Sequence, residues 1–553
     1  MSQWTKGHRV ETDRTGLSAL SERYFRNLWD HAPTLGSRAG LQEFDGRLEA
    51  PSRDWIDVKG RIVAEGRAAL AKLPLPDPGS PEELDRTVFD SHLSMTDLRL
   101  GALQSWRRDP SLPLTEVVES LFELLMRRDL DREDVASAIA DRLGRLPAYL
   151  RAARSRLDSP VKLWVKVALE SAPGAADFLR SAASQLCERH PKLAEKISRA
   201  GSAAAESVEH YGQWLTELLE RPLDEDIACG PEVLSQMIRK WHGLNMAASE
   251  IEALGWNLIQ YYAHELQEQV QRMDRSATWS GILSQARLNF AQQDGGMLAR
   301  YRETTGMLKE RMTRDGLLDL PPGEVCEVVA TPSFLRPLLP TAAYSNPGPL
   351  DPRQVGIFFV TEPDGQLAGD AYRAQVGQHF GIEATCVHEA YPVHHVQLCW
   401  ANRAGSLIRQ MADHIIFMEG WTLYCEQWMI EGNWFDDPRL KLNYLVEQLW
   451  RAYRMVIDVG IHTRSLSVEA AIQMLIDGVG FTRERATSEL NWYTQSPGVP
   501  MSYLLGKRET LALRDSFLAA PGANLARFHR WLLGFGSLPQ RWLALHLPAG
   551  ADR

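Results

Sequence analysis

Apolar residues recur at three- and four-residue intervals along most of the chain, the spacing that places them on one face of an α-helix. "DRTVFDSHLSMTDLRLGALQSW" and "ARYRETTGMLKERMTRDGLLDL" show the pattern, and stretches such as "DPSLP" and "PPGE" interrupt it between helices. Two short runs depart from it. "EVCEVVA" (324–330) and "VGIFFVT" (355–361) are rich in β-branched and aromatic residues and are bounded by proline and glycine clusters, so both are expected as strands. Gly356 to Val360 is expected either as an edge strand able to pair with an extended peptide or as an ordinary buried strand. The segment between the two, "TPSFLRPLLPTAAYSNPGPLDP", carries too many prolines for a helix. Helices resume afterwards and run to the C-terminus. The expected class is therefore mainly α with a small β-sheet, without an internal repeat or a low-complexity linker.

Composition narrows the partners. With 553 residues, 44% hydrophobic and 24% charged, the chain is ordinary globular material, long enough for several cores. A net charge of -10 argues against nucleic acid, whose binding needs clustered Lys and Arg. The mixed signs of "MRRDLDRED" (126–134) are expected on a solvated helix face. Six cysteines without a C-x-x-C pair point to reduced, mostly buried thiols. The opening "MSQWTKGHRVETDRTG" lacks an apolar stretch behind a basic start, and no later run nears eighteen apolar residues, so a cytoplasmic protein without a membrane partner is expected.

The chemistry concentrates in "ATCVHEAYPVHHVQ" (384–397), where His388, Glu389, His394 and His395 fall within eight positions. The zinc-peptidase signature H-E-x-x-H places two ligands one helical turn apart with a glutamate base beside the first. Here the fourth position after His388 is Pro392, which cannot ligate. On an ideal helix His388 and His395 share a face two turns apart, whereas His388 and His394 fall on nearly opposite sides. Pro392 lacks the N–H that the turn requires, and a bulge there would carry His394 to the second ligand's place. Either histidine is a candidate on these grounds.

A second segment, "MADHIIFMEGWTLYCEQWMIEG", holds Glu419 and Glu426 seven residues apart, on one helical face and about 10.5 Å apart along the axis. One can bind a metal while the other supports the site from behind. Carboxylates in so apolar a stretch need partners. Two imidazoles, one carboxylate and an open position suit one zinc ion. Glu389 stands where a general base belongs, and a tyrosine hydroxyl can hold the oxyanion. Tyr503 in "PGVPMSYLLGKRE" is the expected donor, with Tyr493 in "NWYTQSPG" as its alternative. Lys507 and Arg508 are expected to be solvated, or else to hold a substrate carboxylate.

Three stretches, "HEAYPVHHVQ", "EGWTLYCEQ" and "SPGVPMSYLLGKRETLALR", resemble the bacterial domain-of-unknown-function family 885, predicted zinc peptidases with the motif H-E-x-x-P-G-H-H-x-Q. The resemblance runs from about residue 20 to the end of the chain. Val393 departs from it, replacing the motif's glycine with a β-branched residue that tolerates a positive φ poorly. That family is in turn similar to peptidases of the thimet oligopeptidase and angiotensin-converting-enzyme type. The similarity implies His388, His394 and Glu419 as zinc ligands, Glu389 as base and Glu426 as a supporting carboxylate; His395, beside a bulge at Pro392, and Arg508 are expected on their own residues as supporting or substrate-contacting groups. The similarity further implies a two-lobed helical fold with a deep central channel, residues 1–320 forming the wall and 321–553 the catalytic half of one integrated domain. The implied function is zinc-dependent hydrolysis of amide bonds in short peptides or small amides. The alternatives are a non-peptidase metal enzyme, biosynthetic or ferrous-iron dependent, on the same scaffold, and an inactive helical binding protein, against which the intact His-Glu pair speaks.

Overall fold

The computed structural model describes residues 16–292, 296–332, 336, 339 and 341–548. Four helices, α1 (Leu112–Arg127), α2 (Glu133–Arg156), α3 (Lys162–Arg189) and α4 (Ala194–Leu219), pack their apolar faces around Leu121, Leu143, Leu179 and Val208. The "MRRDLDRED" stretch ends α1, turns and begins α2, so it is not one helix face, although Asp129, Asp131, Arg132, Glu133 and Asp134 are exposed as expected. Arg128 within it is buried and paired with Asp45 at 2.6 Å and Asp351 at 2.5 Å. Such a pairing is needed because a lone guanidinium would be costly there.

Two further long helices follow, α5 (Ala248–Met273) and α6 (Met297–Arg314), and then the sheet. Strands β1 (Val325–Ala330), β2 (Ala342–Ser345) and β3 (Val355–Val360) lie in the order β1-β3-β2. β3 pairs parallel with β1 and antiparallel with β2, with Phe358 opposite both Val328 and Tyr344. The proline-rich segment thus contains a strand that its composition concealed, and β3 is central rather than an edge open to a peptide. Alternation along β3 serves two cores: Ile357 and Phe359 face the four-helix core, while Phe358 and Val360 enter a second one.

That second core joins Tyr24 and Phe89 from the N-terminal helices to Val387, Val396, Phe417 and Trp421. These four come from α7 (Ile382–Glu389), α8 (His394–Ala401) and α9 (Ile415–Glu431). A third core gathers Ile259 and Leu266 of α5 with residues of α10 (Pro438–His462), α11 (Arg483–Gln495) and α12 (Val499–Leu518). Both cores cross residue 320, so the two halves of the chain share their interior. Helix α9 lies between them, sending Phe417 and Trp421 one way and Ile416 and Leu423 the other, which explains why its sequence is apolar all round. The six cysteines are free, with Cys386, Cys399 and Cys425 buried.

Two local features fix α12. The buried Asp458 of α10 accepts the N–H groups of Gly498 and Met501, both at 3.1 Å, satisfying otherwise orphaned donors at the helix start. Gly498 supplies the positive φ, 79°, that this entry requires. Farther along, α12 crosses α9 backbone to backbone: a Cβ on Gly506 would overlap the carbonyl oxygen of Ile416, and one on Gly420 would overlap Gly506.

Candidate metal centre

The motif does not form one bulged helix. α7 ends at Glu389 and α8 begins at His394, and residues 390–393 between them are non-helical, buried and contain a cis Tyr391-Pro392 bond. Val393 is fully buried with φ -97°, so this position does not need the left-handed freedom of glycine. The break brings the His388 and His394 rings to 4.9 Å in an edge-to-face arrangement. From α9, Glu419 completes the group: one ligating atom from each of His388, His394 and Glu419 lies within 4.8 Å of the others.

The surroundings prepare the group for a cation. Glu426, two turns after Glu419, meets His388 Nδ1 through Oε1 at 2.9 Å, leaving Nε2 of that ring for the centre. His394 Nδ1 is buried without a hydrogen-bond partner. Glu419 is buried and its Oε2 accepts the Thr422 hydroxyl at 3.3 Å. Burial pushes the Glu419 carboxyl above its ordinary value, against the pull of His388, Arg454 and Arg451. Burial alone would lower His388, but Glu426, Glu389 and Glu419 raise it to about 9. The neighbouring His394 is lowered to about 4 by burial and by His388. Three carboxylates thus favour positive charge at His388, a charge that a divalent ion bound there would supply. Two imidazoles and a carboxylate fit Zn²⁺.

The other expected residues divide. Glu389 is partly exposed at the end of α7, and its charge acts on both histidines. Tyr503 is also partly exposed. Burial and the Glu419 charge push its phenol up, and the Arg454 guanidinium lies 4.8 Å from its ring centre. Tyr493 is not an alternative donor: it is fully buried, and its hydroxyl accepts Trp450 Nε1 at 3.0 Å and Arg454 Nε at 2.9 Å. His395 is not a substrate contact either. It is fully buried, with Nε2 2.5 Å from Glu324 Oε2 and Nδ1 2.9 Å from the Tyr344 hydroxyl. Lys507, expected in solvent, is 3% exposed, whereas Arg508 is exposed.

Sequence reasoning missed Gln448, Arg451 and Arg454. They recur every three residues along α10 and form a polar stripe beside Glu426, Glu419 and Tyr503. The spacing in "EQLWRAYR" within an apolar helix was their available signal.

The chain matches no curated protein. Among solved structures it resembles a putative lipoprotein of unknown function from Shewanella oneidensis, with 21% identity, a TM-score of 0.75, and coverage of 96% of this chain and 99% of that one. It also resembles a putative lipoprotein from Colwellia psychrerythraea, with 18% identity, a TM-score of 0.79, and coverage of 96% and 98%. At these identities the likeness establishes a shared fold. Residues 33–547 match the family described as bacterial protein of unknown function, DUF885, and the chain therefore belongs to that family.

Proposed function

We propose that the protein is a zinc-dependent hydrolase of amide bonds in short peptides. The observation that carries this reading is the convergence of His388, His394 and Glu419 within 4.8 Å, with Glu426 holding His388 from behind. Zinc held by these three residues would lower the pKa of a water towards about 7. Glu389, adjoining the triad, takes a proton from the attacking water and returns it to the leaving amine. The Tyr503 hydroxyl donates to the oxyanion on the side of Glu419. A two-lobed shape with an inner channel is part of the proposal.

Elemental analysis of the purified chain should find about one zinc, absent from His388→Ala. A peptide-library digest read by mass spectrometry should show cleavage that Glu389→Gln lowers by about 10²- to 10⁴-fold while the zinc stays bound. Full zinc in His388→Ala or unchanged turnover in Glu389→Gln would overturn the assignment. Stoichiometric iron would favour the non-peptidase alternative.

A further inference from the structure

Lys507 is a buried side chain whose hydrogen-bond partners are all neutral, with the carboxylates of Glu426 and Glu431 acting on it without bonding to it. Its Nζ donates to the hydroxyls of Tyr262 at 3.2 Å and Tyr444 at 2.8 Å, and to Gln448 Oε1 at 2.8 Å. These three bonds use all its donors, and none goes to a carboxylate. Burial lowers Lys507 to about 7, against the pull of Glu426 and Glu431. An incoming anion would relieve that desolvation more than a further neutral oxygen could.

The space for such an anion is present. Lys507 lines a cavity of about 520 Å³ between α5, α9, α10 and α12, a volume typical of small-molecule sites. Arg508 lines the same cavity, is exposed, and forms no ion pair among the described residues. Glu265 and Glu431 add negative charge to the lining, and Leu504, Leu511 and Tyr261 add apolar and aromatic surface. Cations, carboxylates and an apolar wall within one small cavity complement a molecule that carries both charges and an apolar side chain.

We propose that this cavity binds a free α-amino acid as its zwitterion, the carboxylate at Lys507 and Arg508, the ammonium at Glu265 and Glu431, and the side chain against the leucines. Gln448 makes the site more than a surface pocket. While its Oε1 holds Lys507, its Nε2 reaches Glu426 Oε2 at 3.5 Å, and Glu426 holds His388. A carboxylate competing for Lys507 frees Gln448 and is felt at Glu426. The proposal does not depend on the hydrolase reading.

Isothermal titration of the full chain with L-leucine tests it, against leucinamide, which lacks the carboxylate, and 4-methylpentanoate, which lacks the ammonium. Leucine should bind, and each analogue should bind at least about tenfold more weakly, the loss of one charge-assisted contact. Arg508→Ala and Glu431→Gln alter exposed side chains, so they should weaken leucine binding with no change in melting temperature. Lys507→Met should abolish binding. His388→Ala should retain it, which separates this cavity from the metal centre. Absence of leucine binding, equal affinity for leucine and leucinamide, indifference to both exposed substitutions, or loss of binding in His388→Ala would each overturn the proposal.

Discussion

Two histidine-glutamate pairs flank the break between α7 and α8, and their chemistry is opposite. At His395 and Glu324 everything is satisfied: both ring nitrogens are bonded, and Glu324 also takes Lys309 at 2.7 Å and the Tyr391 hydroxyl at 2.7 Å. The side chains are 0% and 4% exposed. At His388 and Glu426 the carboxylate engages only one ring nitrogen, and 22% of the His388 side chain is accessible. A closed pair fixes structure, whereas a pair with one ring nitrogen unbonded among the described residues, beside another histidine and a buried carboxylate, can still take a ligand. The same residue types one helix break apart are thus separated by which hydrogen bonds remain unmade.

Exchanging the roles of the adjacent histidines breaks the comparison most sharply. His394→Ala should strip bound zinc almost completely, while His395→Ala should keep it and lower stability instead; elemental analysis beside urea denaturation reads both. Zinc lost from His395→Ala but kept in His394→Ala would reverse the comparison and remove the thimet-type alignment. Next in size, Glu324→Gln removes the charge on which three donors converge, and unfolding in urea should show a loss of about 3 kcal/mol with zinc retained. Glu426→Gln should do the reverse, weakening zinc by about 10- to 100-fold in a chelator competition while the urea midpoint moves little.

The smallest effect is on pH dependence. Burial would raise the Glu324 carboxyl, but His395, Lys309 and Tyr391 hold it at about 2. Because the folded state holds this carboxyl below its ordinary value of 4.5, the native chain binds fewer protons here than the unfolded chain. Its stabilisation is full above that ordinary value and is lost as pH falls towards about 2. The stability gap between wild type and Glu324→Gln should accordingly narrow from pH 5 to about pH 3. A gap that widens on acidification would reject this account of the pair.

Much of this contrast was legible along the chain, and its limits have physical causes. Periodicity reads local burial, so the helices and the strands near 325 and 355 followed from it. β2 did not, because "AAYS" is four residues among prolines and owes its existence to pairing with β3. Pro392 announced a departure from an ideal helix, expected as a bulged turn; the structure instead ends the helix at Glu389, with Tyr391 and Val393 buried in the second core. His388, Glu389, His394, Glu419 and Glu426 lie within 39 consecutive positions, 388–426, close enough to be read together, although helical geometry relates only Glu419 with Glu426 and His388 with Glu389. Glu324 and Tyr344 are 71 and 51 residues from His395, and no local rule selects them as its partners. The error at Lys507 was of the same kind: a basic pair at a helix reads as solvated until α5 and α10 cover one member.

The meeting of Gly420 with Gly506 has a consequence for how this protein tolerates mutation. Neither glycine has functional atoms to offer, yet one adjoins Glu419 and the other adjoins Lys507. With no side chain between the helices to deform, even a methyl group must be accommodated by moving the backbones apart, carrying the Glu419 carboxylate and the cavity's lysine with them. A saturation screen for loss of the proposed activity should therefore mark these two positions as harshly as the proposed metal ligands, with alanine already among the failures.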